Sequence, residues 1–385
     1  MDPPDRTPGD DNADPTSRIR WEIARIIVLI GVAVVAFLVT RAIAASNRDL
    51  QLRQGVEWYE QGQRRLAAGD LEGAIAAFRH ARVRNRGDRR YQLALARALA
   101  GSGQRDAARR ALLALRASEP ESPDVNLELA RLAAAGSDVP EAVRYYHDAL
   151  YASWPAESGE VRRGVRLELT RFLLAEGQNE PALSELVALS ADLPDGNGSR
   201  AEIGRLFLQA GDARRALDEL QRAVRAEPDE PDVLADAGIA AFQVGDYPLA
   251  RQYLRGAAAR RGDIGGMLGL AELVLGSDPL APRIGAAARR RRLTDGFAYA
   301  NERLQACANR RSTGSTASAG DAALRDEAQD FERRLPLAAR DNDVIEDGLA
   351  LIYRIERYVT QVCPPVTPLD RALLLIGERH QVDRP

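Results

Sequence analysis

A chain of 385 residues that is 45% hydrophobic is long enough to bury a sizeable core. Its formal net charge of −3 excludes the strongly basic balance of a general nucleic-acid binder. Its 53 basic residues are all arginines, which is typical of a GC-rich genome, and arginine serves carboxylate or phosphate recognition only where it holds particular positions.

The N-terminal region predicts a tail followed by a membrane span. Residues 1–20 are rich in proline and aspartate, and we expect them to be disordered. Residues 21–45 predict a single transmembrane helix. Their uninterrupted apolar core, residues 26–39, lies between Arg25 and Arg41 and alone covers only ~21 Å of a ~30 Å hydrocarbon layer. The flanking apolar residues complete the span when both arginines extend to the headgroups.

Two questions about this segment stay open. A cleaved signal peptide is the main alternative to an anchor, because Ala42-Ile43-Ala44 has the small-residue form of a cleavage site. The orientation is also open, because arginines flank the span almost equally on both sides. A short leader before a large C-terminal domain favours a single-pass protein of the inner (cell) membrane with its large domain in the periplasm. An adaptor that faces the cytoplasm is the alternative.

Downstream of the span, small residues recur with a period of 34 residues. They are Gly69, Gly103, Ser137, Gly177, Gly211 and Gly245. An alanine follows each of them five residues later, and one step of 40 is the only departure from the period. A fixed period of this size predicts stacked supersecondary units rather than a closed enzyme core.

Each period contains two apolar stripes at helical spacing. The unit that begins at Arg89 has a first stripe, a glycine that ends the helix, a second stripe and a closing proline. Its members are Leu95, Ala96, Leu99, Gly103, Ala108, Leu112, Leu115 and Pro120. The counterparts in the first, fourth and fifth units include Trp58, Gly62, Phe78, Leu169, Ala182, Leu186, Pro194, Gly204, Phe207 and Ala216.

These residues resemble the tetratricopeptide repeat (TPR), and the resemblance covers six units over residues 55–262. A longer loop near residues 153–161 accounts for the step of 40. Together with the predicted span and the helices that follow the repeats, the resemblance implies an all-α fold. The expected architecture is a right-handed α-solenoid of helix-turn-helix (TPR) pairs with one N-terminal transmembrane helix and a helical C-terminal cap.

The region after the repeats predicts further helices. Residues 263–311 form a divergent seventh helix pair, and the serine- and glycine-rich residues 312–320 form a flexible linker. Residues 321–385 form a C-terminal helical region, which we expect to pack onto the end of the array or to form a small cap. Its helices are predicted at residues 322–335, 343–361 and 369–380.

Two cysteines, Cys307 and Cys363, lie in this C-terminal part. In an oxidising compartment they can form one disulfide, and otherwise they are two buried free thiols that behave as small apolar residues. Both alternatives stay open at this point.

The resemblance also selects a candidate binding face. In tetratricopeptide arrays the ninth position of each first helix faces the concave groove, and here that position carries arginine in four consecutive units. The groove residues are Arg97, Arg131, Arg171 and Arg205, with Glu128, Glu168, Glu202 and Asp236 three positions before the arginine position of their own units. These rows suit an extended polypeptide partner. The alternative is that each glutamate pairs with the arginine three residues later on its own helix.

Catalytic motifs are absent from the sequence. Three histidines, His80, His147 and His380, share no ligand spacing, and neither a phosphate-binding loop nor a nucleophile elbow occurs. We therefore expect no enzymatic activity, no catalytic residue, no cofactor and no metal. The four arginines of residues 289–292 suggest a solvated helix face, with a partner or an anionic lipid as the alternative.

The expected function is that of a membrane-anchored TPR scaffold or adaptor, which mediates protein–protein interactions in the assembly of an envelope complex. The alternative is an accessory TPR subunit of an exopolysaccharide export or secretion machine. An enzyme with its site in residues 283–385 is a third class. The groove arginines do not reproduce the lysine and asparagine of the family's peptide-clamp subtype, so capture of a C-terminal carboxylate is not inferred.

Overall fold

The structure, a computed structural model, describes residues 15–155, 157–193, 199–312, 319–339 and 341–380. This described part contains seventeen α-helices and no β-strand, which confirms the predicted all-α class. The chain forms two compact units, residues 1–158 and residues 159–385. The boundary between them lies in the loop that was predicted from the single step of 40 residues.

One long helix joins the predicted membrane span to the first repeat. Helix α1 (Pro15–Ala67) is 53 residues long, or ~80 Å at 1.5 Å per residue. It begins inside the predicted N-terminal tail, of which residues 1–14 lie outside the described residues. Residues 46–54 contain neither proline nor glycine, so nothing in the sequence ends the helix between span and repeat. The side chains of residues 25–54 are all exposed.

Five more helices complete the first compact unit: α2 (Leu71–Arg84), α3 (Arg89–Gly101), α4 (Arg105–Ser118), α5 (Pro123–Ala134) and α6 (Val139–Leu150). Each odd-numbered helix packs against the even-numbered helix that follows it, and the C-terminal part of α1 serves as the first helix of the first pair. Three helix pairs therefore stack in this unit.

The second compact unit opens with three more helix pairs: α7 (Gly159–Ala175), α8 (Asn179–Ala191), α9 (Ser199–Ala210), α10 (Ala213–Ala226), α11 (Pro231–Val244) and α12 (Tyr247–Ala258). Pro194, the predicted closing proline of the fourth unit, lies outside the described residues. The remaining helices are α13 (Gly265–Ser277), α14 (Ala286–Ser312), α15 (Ala319–Arg334), α16 (Asn342–Val362) and α17 (Pro368–His380).

The turn inside each pair explains the 34-residue stride. Its small residue adopts a left-handed backbone, with φ between 69° and 90° at five glycines and 54° at Ser137. This conformation ends the first helix and costs glycine no Cβ clash. In four of the turns an aspartate comes next, and its side chain accepts a hydrogen bond from a backbone N–H of the second helix. The small residue thus ends the first helix of the pair, and the aspartate caps the start of the second.

A second small residue allows the two helices of a pair to pack closely. A Cβ built on Gly204 would lie 2.5 Å from Leu220, and one on Gly238 would lie 2.7 Å from Leu254. Both leucines are fully buried. Interiors at crystal-like density cannot absorb such overlaps, so these positions require the smallest residue.

The C-terminal helices share one core with the end of the repeat array in the second unit. Tyr247 of α12 belongs to the same buried cluster as Phe297 of α14 and Ile355 of α16. Helix α13 packs against both α12 and α17. The predicted linker falls between α14 and α15, and its residues 313–318 lie outside the described residues. This region therefore packs onto the array, as expected of a cap that covers a last apolar face.

Candidate functional site

The candidate groove residues lie on the first helices of successive pairs. We call this set the arginine–carboxylate ladder, and its members are Arg97, Arg131, Arg171, Arg205, Glu128, Glu168, Glu202 and Asp236. They lie on α3, α5, α7, α9 and α11. Because the chain forms two compact units, the ladder is described separately in each.

In the first unit, two arginines converge on one carboxylate. Arg97 Nε donates a hydrogen bond to Glu128 Oε1 at 2.8 Å, and Arg131 Nη1 donates to the same oxygen at 3.0 Å. The side chain of Glu128 is 10% exposed, whereas both arginine side chains are 46% exposed. The carboxylate is thus enclosed, and the two guanidinium groups remain half open to solvent.

The second unit repeats this asymmetry. Arg171 pairs with Glu202, and Arg205 Nε lies 3.2 Å from Asp236 Oδ2. Asp236 is 15% exposed and Arg205 is 54% exposed. Burial raises the pKa of Asp236, and the charge of Arg205 acts in the opposite direction. Glu168 occupies its predicted position on α7 and is half-buried.

Most of these ladder contacts join neighbouring helix pairs and not residues of one helix. Arg97, Arg171 and Arg205 each pair with a carboxylate of the next helix pair, and Arg131 also pairs with Glu128 three residues before it on its own helix. Pairing within one helix therefore accounts for the contact of Arg131 with Glu128. It does not account for the contacts that join neighbouring helix pairs. Each such link fixes the register of one pair against the next and leaves arginine donors on the surface.

Sequence reasoning missed a similar row on the second helices. Arg109 on α4 binds Glu141 on α6 through two parallel bonds of 2.7 Å, and Arg116 binds Asp148 at 2.7 Å. These pairs are 32 residues apart, so an arginine followed by an acid close to one period later is the signal that identifies them. The planar fork of arginine makes the two-bond contact that a lysine cannot make.

A buried ion pair lies within the second unit. Arg200 on α9 and Glu219 on α10 are 4% and 5% exposed, and they are 2.7 Å apart. Ser190 and Arg222 also donate to Glu219, at 2.7 and 3.2 Å. This cluster joins α8, α9 and α10 through a satisfied carboxylate, so it stabilises the register of these helices.

The C-terminal core contains a second buried cluster, on α14, α16 and α17. Arg303 contacts the fully buried carboxylates of Glu356 and Asp370, the latter at 3.0 Å. Tyr299 donates its hydroxyl hydrogen to Asp370 at 2.7 Å. Burial raises the pKa of Glu356 to about 7, with the Arg303 charge opposing the rise and the Asp370 charge adding to it. Thr367 and Asp370 also cap α17 reciprocally.

The structure joins Cys307 and Cys363 in a disulfide with a Cα–Cα distance of 5.8 Å.

Among the histidines, His80 stacks on Trp58, and His380 contacts the buried Asp278 at 3.0 Å. The described residues contain no cluster of side chains that could hold a metal ion. Of the four arginines at 289–292, the first donates to Asn342 and the last to the backbone of Asp278, so both serve packing within the cap.

Comparison with known proteins agrees with this architecture. Residues 93–158 and 202–264 match the family model of the tetratricopeptide repeat. These two segments therefore contain tetratricopeptide repeats, which confirms the resemblance seen in the 34-residue stride. No curated protein matches the chain in sequence.

Several solved structures match part of this chain at low identity. YrrB, described as a TPR protein with an unusual peptide-binding site, is 18% identical over 51% of this chain and 98% of its own, with a TM-score of 0.40. PilW, a type IV pilus biogenesis factor, is 17% identical over 54% of this chain and 93% of its own, also at 0.40. PilF of Pseudomonas aeruginosa is 19% identical over 59% and 83%, at 0.31. Such values concern the repeat fold alone.

Proposed function

We propose that this protein is a non-enzymatic, membrane-anchored scaffold that binds a protein partner on the arginine-bearing faces of its first helices, in the assembly of an envelope complex. The observation that carries the proposal is the asymmetry of the ladder. Glu128, Asp236 and Glu202 are 10%, 15% and 35% exposed, whereas their arginine partners are 46% to 59% exposed. The charge offered to a partner is therefore cationic, although each arginine already has an acidic neighbour.

The chemistry of the ladder defines the partner's side of the contact. A guanidinium has five N–H donors, and one or two bonds to a neighbouring carboxylate leave donors for a second acceptor. Carboxylates and backbone carbonyls of an extended segment are such acceptors. Within each compact unit the helix pairs repeat at a regular interval, so a segment that lies across two neighbouring first helices meets one ladder arginine on each. We expect binding to weaken with salt, because the arginines are solvent-exposed.

Helix α1 supports the anchor. Among the described residues it is the one helix long and apolar enough to cross a membrane, and its apolar residues are exposed. The helix continues unbroken through Ala42-Ile43-Ala44 into the first repeat. An uncleaved anchor that is continuous with the repeat domain fits this geometry better than a removed signal peptide does.

The proposed side of the membrane is the periplasm. The disulfide between Cys307 and Cys363 supports this placement, because such bonds persist in oxidising compartments. In this arrangement the ladder faces proteins of the envelope.

A pair of charge-swap variants tests the ladder. The double substitution Arg171→Glu, Glu202→Arg keeps an ion pair between α7 and α9. It moves the exposed cation from position 171 to position 202. The matched control, Arg109→Glu with Glu141→Arg, makes the same exchange on the second helices. We expect in-cell crosslinking, followed by quantitative mass spectrometry, to show about a tenfold or greater loss of the partner captured by the wild type in the first variant only.

Circular dichroism establishes that both variants keep wild-type helicity. Capture that is unchanged by the ladder exchange, or reduced equally by the control exchange, would remove the ladder as the binding face.

A further inference from the structure

A recess of about 620 Å³ lies in the first compact unit, away from the ladder. It is built from the start of α3, the turn between α4 and α5, and the loop that follows α6. Its wall includes Trp154, Pro120, Pro123 and Pro155. The loop is the insertion that lengthens one repeat period.

Trp154 is held in place at one edge. Its indole Nε1–H donates a hydrogen bond to the carbonyl of Ala149 at 2.8 Å. The side chain is only half-buried, and it lines the recess. An aromatic ring with a fixed edge and an accessible surface is a suitable contact for an aliphatic stem or a cation.

The charges of the recess do not balance. Three carboxylates and one guanidinium line it, those of Glu119, Glu121, Asp124 and Arg89. Arg89 binds both Glu119, at 2.6 Å, and Asp124. Burial opposes ionisation of Asp124, but hydrogen bonds from Ser122 and Arg89 lower its pKa overall, so this carboxylate is charged at neutral pH.

Glu121 is exposed on the rim and has no ion-pair partner among the described residues of the first unit. The recess therefore keeps a net negative charge beside an aromatic wall, with its one cation already bound by two acids.

We infer that this recess binds the arginine or lysine side chain of an extended protein partner. The aliphatic stem packs on Trp154 and the prolines, and the cationic head lies between the indole and Glu121. A cation suits this site because the surplus charge is negative and one carboxylate remains unpaired. This inference rests on the proposed function in one respect, namely that the bound side chain belongs to a protein partner. The side chains that line the recess are not part of the ladder.

Fluorine NMR on the full chain in lipid nanodiscs tests the inference. Labelling with 5-fluorotryptophan gives signals from the three tryptophans, and Trp154→Phe assigns one of them. The probes are the peptide acetyl-Ser-Pro-Arg-Pro-Ser-amide and its citrulline analogue, which has the same shape without the charge. We expect saturable shifts of the Trp154 signal and about fivefold tighter binding of the arginine peptide.

Single-residue variants locate the effect. Glu121→Gln should reduce the preference for the arginine peptide over the citrulline peptide. Glu57→Gln makes the same charge change at an exposed position of α1, and it should leave this preference unchanged. Equal affinity for both peptides would overturn the inference in favour of a site for neutral proline-rich segments. Absence of a saturable Trp154 shift would also overturn it. Because the ladder variants are not used, either outcome leaves the proposed ladder function to its own test.

Discussion

The repeat helices and the C-terminal helices are connected over different distances along the chain. Between neighbouring repeats, arginine–carboxylate contacts join residues 31 to 35 positions apart. In the C-terminal region Arg334 pairs with Asp347 only 13 positions away, but four further contacts span 53 to 102 positions. They are Arg303 with Glu356, the disulfide of Cys307 with Cys363, Tyr299 with Asp370, and Asp278 with His380.

The two regions therefore resist opening in different ways. A repeat contacts only its neighbours, so its stability is a sum of local terms, and a single lost contact has a local effect. The C-terminal helices close on one another through few long-range contacts, each of which restricts a long loop. We therefore expect substitutions of these contacts to have larger effects than substitutions in the repeat turns.

Removing the disulfide should give the largest effect. The bond closes a segment of 56 residues, and the loss of such a constraint costs about 4 kcal/mol in the chain-entropy model. In the double variant Cys307→Ser, Cys363→Ser, hydrogen exchange should quicken in α14, α16 and α17. Exchange in α3–α6 should stay at the wild-type rate, because those helices belong to the first compact unit.

The matched control is Cys307→Ser alone, which leaves one thiol and should lose as much protection as the double variant. Two free thiols in wild-type protein, unfolded directly from its native membrane in the presence of an alkylating reagent, would contradict the bond. Equal loss of protection in α3–α6 would contradict the contrast between regions.

The carboxyl group of Glu356 should make the C-terminal region sensitive to pH. Its pKa is raised from an ordinary value of 4.5 to about 7 in the folded protein. The folded state therefore holds the extra proton, and this stabilisation is complete below pH 4.5 and is lost as the pH rises through about 7. From pH 4.5 to pH 8 the wild type should lose about 3 kcal/mol relative to Glu356→Gln, which cannot titrate.

Urea unfolding, followed through segment-resolved hydrogen exchange in α14 and α16, measures this difference. Glu346→Gln is the control, because that glutamate is exposed on the same helix. The difference between wild type and control should stay constant across the pH range. A wild type that gains stability relative to Glu356→Gln as the pH rises would show that Arg303 holds the group ionised.

The local parts of this fold could be predicted from the sequence. The stride located the turns, because a left-handed position accepts glycine far better than other residues. The helical pattern of the C-terminal region located its helices, including α17, which was predicted at residues 369–380 and begins at Pro368. Both signals act within a few residues, so one sequence contains all the information that they need.

The contacts between distant residues could not be predicted in the same way. The ladder positions were named, but pairing Arg97 with Glu128 requires knowing how one helix pair lies on the next. The Arg303 cluster depends on the closure of three helices, for which no spacing rule exists. The continuity of α1 is an intermediate case. Residues 46–54 contain neither proline nor glycine, but they lie between the predicted span and the predicted repeats and were assigned to neither.

The smallest predicted effect concerns Ser137, the one turn residue of the array that is not glycine. Its φ of 54° is left-handed, a conformation that costs a residue with a Cβ about 1–2 kcal/mol. Ser137→Gly should relieve that cost and stabilise the protein, although the greater freedom of glycine in the unfolded chain offsets part of the gain and leaves about 0.5–1 kcal/mol. Gly211→Ser, at φ 90°, should destabilise the protein by about 1 kcal/mol.

Thermal unfolding of each variant gives the sign of the stability change. Ser137→Ala serves as the control because it removes the hydroxyl but keeps the Cβ. If Ser137→Ala stabilises as much as Ser137→Gly, the hydroxyl rather than the backbone is the source of the cost, and the turn is not limited by its left-handed geometry.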